Sequence, residues 1–269
     1  MSNRLANRFA SLGNRAGLVT FVCGGDPSPD LTAPILHALA AGGADIIEIG
    51  MPFTDPMADG PAIQAGNIRA LGAGITLKKL LAVVAEFRAK DAATPLILMG
   101  YANPVLAYGP GFAADAVAAG LDGVILVDLP PEESGELDLT GLHLIRLATP
   151  TTDDARLPAV LNGASGFLYY VAVAGVTGQN SAEAADVAAA VKRLKAATDL
   201  PVAVGFGVKT PAQAAAIARH ADAVVVGSAI VDLVGAAAGQ QSNDIPGEVQ
   251  AFVASLAAAV RSARLESAA

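Results

Sequence analysis

The chain has one cysteine, Cys23, in 269 residues, so no internal disulfide can form. A single thiol fits a reducing cytosol, and a cytoplasmic location is expected. Charge is also scarce: 16% of residues are charged, net −8 at pH 7, and no basic cluster stands out. That balance argues against nucleic acid, whose phosphates an acidic protein repels. It leaves room for a phosphorylated small molecule gripped locally by backbone amides, and the charge itself chiefly serves solubility. No apolar run approaches the ~18 residues of a membrane span. The first 17 residues have no continuous apolar core, so a secretory signal is not expected there. They read instead as an amphipathic helix with Leu5, Phe9 and Leu12 on one face. The three histidines, His37, His143 and His220, are scattered on helix or strand patterns, which favours packed or surface roles over metal binding. Neither a metal nor a cofactor is expected.

What is present is apolar. Hydrophobic residues make up 53% of the chain, enough for a large core and incompatible with disorder. Short β-branched runs alternate with longer Ala-rich stretches of helical period. Candidate strands cover 18–23, 45–50, 95–100, 122–127, 142–147, 166–171, 201–205 and 222–227. Helical patterns between them include 31–41, 77–89 and 182–196, long enough for right-handed crossovers between parallel strands. Near-continuous apolar strands suit a parallel sheet covered on both faces. Eight such units predict an α/β fold, a (β/α)₈ TIM barrel in one domain, 1–269, with an extra N-terminal helix and insertions after strands 2 and 8. A doubly wound sheet is the alternative, but its GxGxxG fingerprint is absent. The first insertion, 51–74, carries a helix pattern over 61–71; the second precedes a last helix over 246–261.

In such barrels chemistry sits at the C-terminal ends of the strands. Glu48 lies there, inside Ile46-Ile47-Glu48-Ile49-Gly50. Side chains alternate along a strand, so if Ile47 and Ile49 pack on helices, Glu48 faces the barrel mouth. Burial would raise its pKa and suit it to proton transfer. A buried structural Glu with a basic partner is the competing reading. In the following loop, Asp59 precedes Gly60-Pro61 and a helix, where a mere capping role is equally open.

Late in the chain three glycine turns follow successive strands: Gly175-Val176-Thr177-Gly178, Gly205-Phe206-Gly207 and Gly227-Ser228. Glycine admits an anion close to backbone N–H groups, and Ser228 opens a short apolar helical stretch, Ala229 to Val234. Phosphate binding at the last strands is the expectation, although strand ends need glycine in any case.

The segment from Glu48 to Gln64, reading EIGMPFTDPMADGPAIQ, closely resembles the defining segment of tryptophan synthase alpha subunits. Further matches in family order are Gly25-Asp26-Pro27, Met99 to Pro104, Asp128 to Glu133, Gly175 to Gly178 and Gly205 to Gly207. The resemblance covers nearly the whole chain. It implies a lyase that cleaves indole-3-glycerol phosphate to indole and glyceraldehyde 3-phosphate by a retro-aldol reaction. Glu48 would move the protons, and Asp59 would hold the indole N–H and steady the cationic intermediate. Phe21, Met99, Ile125, Val127 and Phe206 would line the indole pocket, and Tyr169 would be the active-site tyrosine near Glu48. Gly178, Phe206, Gly207, Gly227 and Ser228 would hold phosphate, with Thr177 on a loop that closes toward Asp59. Pro52, Asp55, Asn103 and Pro130 would meet a pyridoxal-phosphate beta subunit in an α₂β₂ complex. The chain departs from many relatives at Val171 to Ala174, where they carry a polar Ser or Arg. A stand-alone lyase releasing free indole, and an idle barrel that only activates a partner, are the alternative functions.

Overall fold

The computed structural model describes residues 3–172, 180–205 and 207–265; side chains are described for these except 180–184. Nine parallel strands form one sheet: β1 Gly17–Cys23, β2 Ile46–Gly50, β3 Leu96–Gly100, β4 Gly123–Leu126, β5 His143–Leu144, β6 Arg146–Ala148, β7 Leu168–Val171, β8 Val202–Gly205 and β9 Ala223–Val226. Their hydrogen-bonded order is β5-β4-β3-β2-β1-β9-β8-β7-β6. The two ends of that ladder, β5 and β6, are halves of one stretch. The expected fifth strand is broken at Ile145, where pairing passes from β4 to β7. Ile145 still donates its N–H to the Val124 carbonyl at 3.0 Å. Eight runs of chain therefore close the sheet on itself, and the barrel expected from the sequence is observed.

The helices are α1 Arg4–Leu12, α2 Pro29–Gly42, α3 Pro61–Gly72, α4 Leu77–Arg88, α5 Ala102–Tyr108, α6 Phe112–Ala119, α7 Leu157–Leu161, α8 Asn180–Lys195, α9 Pro211–Ala218, α10 Ser228–Gly239 and α11 Ile245–Ser262. They do not return uniformly. Between β4 and β5 there is only a 3₁₀ turn, Pro131–Glu136, in place of a returning α-helix.

Alternation along the strands sorts side chains into two cores. Ile47, Ile49, Leu96, Leu98 and Val124 pack outward with the helices. Val19, Ile46, Ile97, Ile125, Ile145, Ala203 and Val225 fill the barrel interior. Leu5, wholly buried, joins that interior cluster, and Phe9 meets the Phe167 ring at 6.0 Å. The amphipathic N-terminal helix therefore plugs the bottom of the barrel.

That lower end is also tied electrostatically. Asp45, Asp122 and Asp222 stand just before β2, β4 and β9, and each accepts an N–H from the first or second residue of a neighbouring strand: Leu18 at 3.0 Å, Leu96 at 2.8 Å and Val202 at 2.8 Å. Each carboxylate also pairs with a cation, respectively Arg15, Arg88 and Lys195. The bottom face is built for stability, which leaves the upper face for chemistry.

Candidate active site

Glu48 shares the inward face of β2 with Ile46, since Ile47 and Ile49 belong to the outer core. It is completely buried and sits in register between Phe21 on β1 and Ile97 on β3. Neither Oε1 nor Oε2 has a hydrogen-bond partner among the described residues. No basic side chain answers it, so burial alone raises its pKa, to about 8. Burial thus favours the protonated form of this acid at the floor of the mouth.

Tyr169 lies on the inward face of β7, almost fully buried, and its pKa is pushed far above the ordinary value by burial and then by the charge of Glu48. The two groups therefore share one low-dielectric space. A Cβ on Gly205 would fall 2.6 Å from the Tyr169 hydroxyl, so β8 must present glycine for the phenol to lie across it. Ile125, Val127 and Met99 border the same interior cluster, and Phe21 packs with Met99 near Cys23 and Val231.

Asp59 lies in the loop between β2 and α3. Position 60, not 59, is the residue before α3, and no side chain caps that helix. The Asp59 carboxylate instead accepts the Asn67 amide at 3.0 Å and a bond from the Tyr101 hydroxyl. Burial raises its pKa, and those two bonds oppose the rise. The Tyr101 oxygen also accepts the Ala58 N–H at 3.0 Å, which fixes the loop immediately before Asp59. Asn67 and Tyr101 escaped the sequence reading. Tyr101 stands in a recognised motif, but nothing in spacing alone links it to Asp59.

A second tie holds α3 in place. Arg69 grips Asp26 through Nε to Oδ1 at 2.7 Å and Nη2 to Oδ2 at 2.8 Å. Its guanidinium also lies against Gly235 of α10, where a Cβ would sit 2.8 Å from Nη2. The Asp59 loop is thus joined through α3 to the β1 loop and to α10.

Of the residues expected to hold phosphate, Gly207, Gly227 and Ser228 are among those described. Gly227 precedes α10, and Ser228 begins it; the first internal donor is the N–H of Ile230, to Gly227 O at 2.8 Å. Backbone N–H groups of a first helical turn are available to an anion, and the helix dipole favours one. A Cβ on Gly227 would lie 3.2 Å from that of Phe21. Glu48 and the α10 terminus therefore flank Phe21 on either side. Gly207, with φ +66°, marks the turn after β8. Thr177, Gly178 and Phe206 lie outside the described residues, as do Gly175 and Val176.

The four residues expected to meet a partner are all on the upper rim: Asp55, Asn103 and Pro130 are exposed and Pro52 half-buried. Met57 (76% exposed), Ile68 (71%) and Leu106 (57%) also turn apolar side chains to solvent. Among the described residues no cluster of three or more His, Cys, Asp or Glu offers a metal site, and no helix is long and apolar enough to cross a membrane.

Comparison with known proteins agrees with this architecture. The family model described as tryptophan synthase alpha chain matches residues 9–261. The tryptophan synthase alpha chain of Rhizorhabdus wittichii is 62% identical over 273 residues, covering 99% of each chain. That of Novosphingobium aromaticivorans is 59% identical over 98% of each. Among solved structures, tryptophan synthase subunit alpha from Legionella pneumophila superposes with TM-score 0.89 at 39% identity, covering 97% of this chain and 99% of that one. A chain of M. tuberculosis tryptophan synthase in its open form gives TM-score 0.84 at 36% identity, over 97% and 99%.

Proposed function

Since the chain belongs to the tryptophan synthase alpha chain family, and is a lyase for indole-3-glycerol phosphate, we propose that Glu48 and Asp59 divide its chemistry between them. Carbon–carbon cleavage in this substrate needs a proton on indole C3, which places positive charge on the ring nitrogen. It then needs the side-chain hydroxyl deprotonated, so that its electrons form the aldehyde as the C3 bond breaks. Protonated Glu48 donates the first proton and, once ionised, accepts the second. The acid ends as it began, and the products are indole and glyceraldehyde 3-phosphate.

The observation that carries this reading is the fully buried Glu48, without a hydrogen-bond partner among the described residues and with its pKa raised by burial to about 8. A structural glutamate would have a cation beside it. Asp59, held by Asn67 and Tyr101, is the acceptor for the indole N–H and the counter-charge to the cation that follows. Such a fixed carboxylate lowers the barrier because it is already oriented when charge develops. Tyr169, Phe21, Met99, Ile125, Val127 and Phe206 enclose the ring. Gly178, Gly207, Gly227 and Ser228 supply the N–H groups for phosphate, with Thr177 on the loop that closes over it.

The upper rim is the surface for a beta subunit. Met57 and Leu106, exposed and close in sequence to Asp55 and Asn103, add apolar surface there. Exposed apolar side chains beside a site that must exclude water fit a partner in an α₂β₂ complex. The chain acts as one domain, in the cytoplasm, without a metal or cofactor of its own. The test is indole release by the purified chain alone and with beta subunit added. Stimulation on addition is expected; full activity alone with no response would favour a free-standing lyase.

A further inference from the structure

Two side chains of α3 reach back to Asp59. The Asn67 amide donates to its Oδ2 at 3.0 Å, and the Gln64 amide donates to its backbone carbonyl at 2.8 Å. The direction of the Asp59 carboxylate therefore depends on where α3 sits. Arg69 is the one charged residue of that helix. Its Nε and Nη2 hold the two oxygens of buried Asp26 at 2.7 and 2.8 Å, a clasp made at two points. A planar fork of this kind fixes angle as well as distance. The cleavage chemistry makes no direct use of the pair.

Three elements crowd together beside it. A Cβ on Gly66 of α3 would fall 2.7 Å from Cys23 Sγ of β1, 2.9 Å from Val231 Cγ1 of α10 and 3.1 Å from Asp26 Oδ2. One close contact, next to Asn67, is a pivot; the clasp at Arg69, three residues on, sets the direction of the helix about it. Gly235 of α10 makes the seat for the guanidinium. A Cβ there would lie 2.8 Å from Nη2 and 2.9 Å from Cζ and Nη1. Asp232, three residues earlier on α10, adds a favourable charge to Arg69.

We propose that Arg69 is a positioning residue for the cleavage: its clasp on Asp26, seated in the notch at Gly235, places α3 so that Asn67 aims the Asp59 carboxylate. The proposal rests on the role given to Asp59 above. It adds that a residue on α10, distant in sequence from both acids, controls one of them through a shared guanidinium.

Two substitutions loosen the clasp and leave every charge in place. In G235A the new methyl meets only the tip of a flexible side chain, so the guanidinium moves and the chain still folds. Alanine also suits a helix interior better than glycine, so the melting temperature of G235A should not fall. R69K keeps Asp26 paired but replaces the fork by a point charge. Both should lower kcat by at least about fivefold, with KM changed far less and no greater loss than in N67A, since each acts through that one hydrogen bond. In an N67A background neither should lower kcat by more than about twofold further, because residues acting in one chain of contacts are not additive.

A second readout is independent of turnover. The Asn67 bond holds the Asp59 pKa down against burial, so its loss should raise the titration midpoint of the Asp59 carboxyl carbon in G235A toward that in N67A, followed by carbon-13 NMR and assigned with D59N. Wild-type kcat in G235A and R69K, effects that multiply with that of N67A, or an Asp59 midpoint unmoved in G235A would overturn the proposal. D59N separates it from the reading beneath it. An inactive D59N beside an unimpaired G235A overturns the proposal alone, whereas full activity in D59N would remove the Asp59 assignment and the proposal with it.

Discussion

Asn67, in the second turn of α3, donates its side-chain amide to Oδ2 of Asp59 at 3.0 Å, eight residues back along the chain. The pair converts a flexible loop acid into one with a fixed direction. Replacing Asn67 by Ala removes a bond to a charged group worth about 1.5–3 kcal/mol. If that orientation matters in the transition state, kcat falls by about 10- to 100-fold with a smaller change in KM. Steady-state kinetics of N67A check this, and a purely structural role would lower stability without touching kcat.

Glu48→Gln keeps the shape and removes the proton. Cleavage should fall by at least ~10²–10⁴, the usual contribution of a positioned acid and base. Stability should move the other way. The folded pKa of Glu48, about 8, lies above its ordinary 4.5. The folded state thus holds the proton more tightly than the unfolded chain, and this contribution declines as pH rises from about 4.5 to about 8, by about 1.4 kcal/mol per pH unit at most. E48Q should accordingly gain on the wild type in urea melts at pH 8–9 and lose that advantage near pH 4.5. A gap that does not change with pH would contradict it.

Gly205→Ala is expected to injure the site rather than the sheet. The new methyl would fall 2.6 Å from the Tyr169 hydroxyl and 2.7 Å from Val225. Overpacking of this sort costs about 1–3 kcal/mol. Because Tyr169 must shift beside Glu48, turnover should drop even at temperatures where the variant is folded. Paired removal of the obstacle, G205A with Tyr169→Phe, should recover part of the lost stability.

Asp122→Ala addresses the other end of the barrel. The carboxylate is wholly buried, accepts the Leu96 N–H at 2.8 Å and pairs with Arg4 and Arg88. Removing one member of such a network costs about 3–5 kcal/mol. Thermal melts should show the loss, while kcat per folded molecule stays near the wild-type value.

The barrel was legible because parallel strands leave continuous apolar runs and because alternation between Ile47 and Ile49 turns Glu48 inward. The break at Ile145 was not. The stretch 142–147 reads as one strand, and a change of hydrogen-bonding partner leaves no mark on composition. Its one charged residue, Arg146, gave no sign of burial, since arginine is ordinarily a surface residue. Gly235 misled in the opposite sense: it reads as the end of a short helix, yet α10 runs on to Gly239. Glycine is needed there for the close approach of Arg69, a contact between distant segments that no local pattern reveals. Asn67 and Tyr101 were hidden for the same reason, as partners of Asp59 from a helix and from another strand's end.

The claim on which the rest depends is that Glu48 carries a proton at neutral pH. Carbon-13 NMR of the glutamate carboxyl carbons, with Glu48 assigned by comparison with E48Q, measures its titration in the intact chain. A midpoint near 8 is predicted. A midpoint near 4.5, the ordinary glutamate value, would mean that the group is already ionised at pH 7 and cannot be the donor of the first proton.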